Sequence, residues 1–116
     1  MNKKEIIKKI EEMIEKNLKQ IVGIPDYLIP KVNIPNECAY PYLEVENNGT
    51  IFLVIRERGI EYERDICLDI NDSIYKIFEK ITFELAINEE KSNVNYSLER
   101  IKEKQKELMK LIVYLT

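Results

Sequence analysis

The chain holds three glycines, and two of them, Gly49 and Gly59, bracket the continuous apolar run from Ile51 to Ile55. Glycine adopts positive φ without steric cost, so a pair placed this way fixes where the chain reverses. Asn48-Gly49 is the strongest short hairpin signal, because a two-residue turn of that type needs positive φ at both positions. Glu57-Arg58-Gly59 fits a three-residue loop with Gly59 in the left-handed position. Residues 40–68 are therefore expected to form a three-stranded antiparallel meander. The first loop pairs Leu43 with Val54, Glu44 with Leu53 and Glu46 with Ile51. The second pairs Val54 with Tyr62, Leu53 with Glu63 and Ile51 with Asp65. This register gathers Leu43, Val45, Phe52, Val54, Ile60, Tyr62 and Ile66 on one apolar face. A two-residue Arg58-Gly59 turn would move Ile60 and Tyr62 to the other face, and the single consistent apolar face favours the longer loop.

The opposite face then carries Ile51, Leu53 and Ile55 down the central strand. Tyr42, Glu44 and Glu46 rim it on one side, and Glu61, Glu63 and Asp65 on the other. An apolar stripe with a polar rim has the make-up of an interface, so these nine residues are the candidate partner-binding surface. A helix of the same chain laid over the stripe, or a second copy making a homodimer, are the alternatives. Residues 37–72 hold nine carboxylates against three arginines, a local charge of −6 within a chain whose net charge is −3. Such a field repels nucleic acid and favours a basic partner.

Helices flank the sheet. Residues 2–21 predict one, with Asn2 and Glu5 as a capping pair and Ile7, Ile10, Ile14, Leu18 and Ile21 along one face. Gly23 and Pro25 end it, and Pro25, Pro30 and Pro35 make residues 22–37 an irregular connection. Residues 71–89 predict a second helix capped by Asn71 or Asp72, with Ile74, Ile77, Phe78, Ile81 and Leu85 as its inner stripe. Residues 97–115 predict a third, capped by Ser97. Its Leu98, Ile101, Gln105, Leu108, Ile112 and Leu115 form a seam for another helix. The order α-β-β-β-α-α defines an α+β fold, and 116 residues suit a single domain over 1–116.

Composition narrows the chemistry. There is no histidine, which removes imidazole-dependent triads and Cys₂His₂ zinc sites. No apolar run approaches membrane-spanning length, and residues 1–5 open a charged amphipathic stretch in place of an apolar signal core. Cys38 and Cys67 therefore read as reduced thiols of a cytoplasmic protein that contacts neither membrane nor nucleic acid. Cys67, close to Asp65, is expected to have a raised pKa and to be a poor nucleophile. Arg56 and Arg64 are expected on the apolar face, snorkelling or paired with helix carboxylates. The carboxylate cluster could serve a metal-dependent hydrolase by holding a hard cation, but its two rims stand roughly 9–10 Å apart across the central strand. No cofactor and no metal is expected. A small oligomerising regulatory subunit using the last helix's seam is the other alternative.

The run Tyr40-Pro41-Tyr42-Leu43-Glu44-Val45, followed by Glu57-Arg58-Gly59-Ile60-Glu61 and Glu63-Arg64, resembles the immunity protein 63 family of bacterial polymorphic toxin systems. Phe78-Glu79-Lys80-Ile81-Thr82-Phe83-Glu84-Leu85-Ala86, Arg100 and Gln105-Lys106-Glu107-Leu108 continue the resemblance, which spans about residues 40–112. It implies a cytoplasmic, non-enzymatic protein that binds and neutralises a cognate toxin. By analogy with other toxins of such systems, a basic nuclease would suit the acidic face.

Overall fold

The structure, a computed structural model, describes residues Met1–Thr116. Helix α1 runs Lys3–Leu18 behind the expected capping box: the Asn2 side chain accepts from the Glu5 N–H, and the Glu5 side chain accepts from the Asn2 N–H. A short 3₁₀ turn, Asp26–Leu28, interrupts the proline-rich connection. Strands β1 (Tyr42–Val45), β2 (Ile51–Glu57) and β3 (Ile60–Cys67) follow, then α2 (Ile70–Glu90) and α3 (Leu98–Met109). Asp69, not Asn71 or Asp72, caps α2, and Ser97 caps α3. The order is the expected α-β-β-β-α-α, with the three strands antiparallel in the order β1-β2-β3.

The two hairpin loops are exchanged relative to expectation. The first has three residues, Asn47-Asn48-Gly49, closed by Glu46 N–H on the Thr50 carbonyl (2.9 Å) and Gly49 N–H on the Glu46 carbonyl (2.9 Å). Only Gly49 there has positive φ, at 89°. The second has two residues, Arg58 at φ 50° and Gly59 at φ 81°, closing the pairs Glu57 with Ile60 and Arg56 with Glu61. Beyond it Tyr62 is an extra residue in β3, because Ile55 pairs with Glu63 while Arg56 pairs with Glu61.

The consequence is a one-residue slip of β1 against β2, so Leu43 stands opposite Leu53 and Val45 opposite Ile51. A one-residue slip turns every side chain to the other face. Leu43, Val45, Ile51, Leu53 and Cys67 thereby form one buried layer, which joins Ile10, Met13 and Ile14 of α1 and Ile74, Ile77, Phe78 and Ile81 of α2 in the main core. Ile51 and Leu53, expected on an open face, are core residues, with Leu53 at 1% exposure, and Ile55 packs partly buried against the same core. The stripe is covered by the chain's own helices because it is the more apolar side of β2, and its burial offsets the chain's ordering cost. Phe52, Val54, Tyr42 and Arg64 point the other way. Ile60, Tyr62 and Ile66, expected in the apolar layer, are 55%, 64% and 57% exposed.

α3 packs on α2 through a buried Ile101 but stops at Met109, short of the expected 115. The remaining tail folds back into the core at Ile112. Two asparagines hold it there by taking both backbone groups of one residue. Asn17, fully buried, accepts from Val113 N–H (2.7 Å) and donates to its carbonyl (3.0 Å). Asn71 does the same to Leu115 (2.8 and 2.9 Å). Asn33 repeats the device on Val45 at the sheet edge (2.7 and 3.2 Å).

Candidate partner-binding surface

The outer side of the sheet is built on Tyr42, Phe52 and Val54. Tyr42 and Val54 are buried, yet neither belongs to the helix-facing core. Long charged side chains lie along this face. The Arg64 guanidinium lies 5.0 Å from the Phe52 ring centre and donates to Glu44 Oε2 (2.9 Å) and Glu61 Oε1 (2.8 Å). Arg56 donates through Nε to Glu37 Oε2 (2.8 Å) and through Nη2 to the Gly59 carbonyl (3.1 Å). Both arginines thus pair with carboxylates of the sheet and its connection, not of the helices as expected. Their stems shield apolar surface while their heads stay in water.

These pairs tune the carboxylates. Hydrogen bonds from Arg64 hold the Glu61 carboxyl below its ordinary range, and those from Arg56, then from Gly59 N–H, do so for Glu37. Burial, with help from Glu44, pushes the Tyr42 phenol up. Cys67 is pushed up to about 11, chiefly by burial; Asp72 and Asp65 add little, and Lys76 opposes them. The raised thiol was expected, but the expected cause, a negative field, is secondary.

The nine candidate residues do not form one surface. Tyr42, Glu44 and Glu61 share the outer face; Ile51 and Leu53 are in the core, and Ile55 lines it. Glu63 and Asp65 pair opposite Ile55 and Leu53, on the helix side, where Glu63 meets Lys80 of α2 at 3.2 Å. Glu46 is exposed beside the first turn. The carboxylates therefore diverge, and no group of three His, Cys, Asp or Glu side chains stands where it could share a metal ion. Of the five, Glu44, Glu61 and Glu63 have cationic partners, while Glu46 and Asp65 have none within 4 Å. Sequence reasoning missed the outward turn of Ile60, Tyr62 and Ile66. Ile66 does lie on the Phe52 face, as expected, and Ile60 stands opposite Glu57, but no helix covers them.

The sheet's edges differ. Along β1 the connection closes the edge: Leu43 N–H bonds the Lys31 carbonyl (3.0 Å), and Asn33 N–H bonds the Leu43 carbonyl (2.8 Å). Farther on, Ala39 N–H bonds the Arg56 carbonyl (2.9 Å) and Arg58 N–H the Glu37 carbonyl (3.1 Å). β3 has β2 as its one strand neighbour, so its far side is an open edge.

No helix is long and apolar enough to cross a membrane. The model of the immunity protein 63 family matches residues 47–113, from the first turn through β2, β3, α2 and α3 into the tail. That is more than half of the chain, and the chain belongs to the immunity protein 63 family. The family is one of immunity proteins, which implies a toxin-neutralising role. No curated protein and no solved structure matches.

Proposed function

We infer that this chain is a non-enzymatic inhibitor that binds a cognate toxin domain in the cytoplasm and covers the surface with which the toxin works. The observation that carries this reading is the family match across β2 to the tail. The chemistry of the surface supports it. Glu44, Glu46, Glu61, Glu63 and Asp65 lie on or beside the sheet, and with two of them unpaired the field there is negative. A negative field of this kind accelerates encounter with a basic protein, such as a nuclease, more than it strengthens the final complex. Binding energy then comes from desolvated apolar anchors. Leu53 cannot be one, because it is in the core; exposed Tyr62 and Ile66 can.

Co-expression with candidate toxin domains from the reading frames flanking this gene tests the reading. Growth should be restored, and a stoichiometric complex should survive purification. A toxin that kills equally with and without this chain overturns it.

A further inference from the structure

We propose that the open edge of β3 is the docking strand, and that a lysine- or arginine-bearing extended segment of the toxin adds to it as a fourth strand. This rests on the immunity reading above.

The asymmetry of the sheet is the first argument. Four backbone hydrogen bonds from the connection close the β1 side, while no strand pairs with the outer edge of β3, Ile60–Cys67. An unpaired edge offers its N–H and C=O groups to any extended chain, so proteins blunt edges they do not use. This one is blunted at two points. Lys76 Nζ takes the Ile66 carbonyl at 2.6 Å, and the extra residue Tyr62 bends the strand. Beside the backbone stand Ile60, Tyr62 and Ile66, each more than half exposed, which gives an added strand apolar side chains to cover.

Charge chooses the occupant. Two copies of β3 pairing about a two-fold axis keep paired side chains on one face only when the register is centred on a residue. The extra residue Tyr62 puts Glu61 and Glu63 on opposite faces, so the regular stretch that could self-pair begins at Glu63; centred on Glu63, that residue faces its own copy. Centred on Arg64, Glu63 faces Asp65, and centred on Asp65, that residue faces itself. Like charges directly opposite are destabilising, so the self-paired registers centred on Glu63, Arg64 and Asp65 are all penalised. A basic strand meets Asp65 favourably, the carboxylate of this edge with no cationic partner within 4 Å. Main-chain bonds then supply affinity, and the alternating side chains supply selectivity.

The test uses the complex with the toxin domain that the co-expression experiment identifies. The backbone amides of Ile60–Asp65 that point away from β2 should exchange at least tenfold more slowly in the complex than in the free protein. Asp65→Lys should speed dissociation at least tenfold with an unchanged melting temperature. Glu46→Lys, a charge off this edge, should slow association only. Protection confined to the helices or the outer sheet face, with β3 unchanged, overturns the proposal and leaves the immunity reading standing. So does a free protein that is already a dimer with β3 protected. Failure of the toxin to bind at all removes both.

Discussion

Glu37 is the residue on which the second turn depends. Its carbonyl accepts from Arg58 N–H, and its carboxylate accepts from Gly59 N–H (2.7 Å) and Arg56. This grip from the connection holds Arg58 left-handed, a conformation that costs an L-residue about 1–2 kcal/mol. Arg58→Asn should therefore raise stability by about 0.5–1 kcal/mol, since Asn tolerates that region and favours this turn. Gly59→Val should lower it by roughly 1–3 kcal/mol through backbone strain alone. Nothing lies within 4 Å of a Cβ placed at Gly59. Urea midpoints check both, and an unmoved midpoint in the Val variant would refute the left-handed turn. The thiols differ as sharply. Cys38 is exposed and Cys67 buried, both free, so one thiol should react quickly in the native protein and two after unfolding. A Cys38–Cys67 disulfide in the purified protein would contradict this.

At the scale of elements, the short-range signals were legible. Asn2 and Ser97 cap as their positions demand, and of the expected stripe Ile74, Ile77, Phe78 and Ile81 are wholly buried and Leu85 partly so. Features set by distant residues were not. The loop lengths rest on Glu37, some twenty residues from the turn it grips, and on the helices that claim Ile51 and Leu53. The end of α3 rests on Asn17, 96 residues away from Val113. A periodic pattern cannot announce that Ile112 leaves the helix when an amide elsewhere offers both backbone partners. The candidate surface suffered most, since one slipped residue moved its apolar centre into the core. Two substitutions measure this. Leu53→Ala should cost about 2–5 kcal/mol of stability by leaving a cavity, and should leave binding by the folded fraction unchanged. Asn17→Ala should cost roughly 2–4 kcal/mol, because Val113 loses both partners in a buried setting. It should also expose the tail to protease. Near-native stability of either variant, read from denaturant midpoints, would remove the corresponding element from the core.

Across the whole molecule, the pH profile reports on the ion-paired carboxylates and on the buried groups. With no histidine, no side chain has an ordinary pKa near neutrality, so stability should be flat from about pH 5.5 to 8.5. On the acid side, Glu37, Glu61 and Glu90 have carboxyls held below the ordinary 4.5 by Arg56, Arg64 and Arg100. Their ionised forms favour the fold, so that contribution is present above pH 4.5 and is lost as pH falls through the lowered values. On the alkaline side the sign reverses. Burial raises the Cys67 thiol from 9.0 to about 11, so its contribution is complete below pH 9 and disappears as pH rises towards 11. Tyr42 and Tyr114, raised by burial, and Tyr75, raised by Glu79, extend the same limb beyond pH 10. Urea midpoints measured every half unit should thus trace a plateau with two shoulders. Cys67→Ala should flatten the shoulder between pH 9 and 11 and leave the acid one in place. A transition between pH 6 and 8, or an alkaline shoulder indifferent to Cys67, would show that groups other than these set the fold's response to protons.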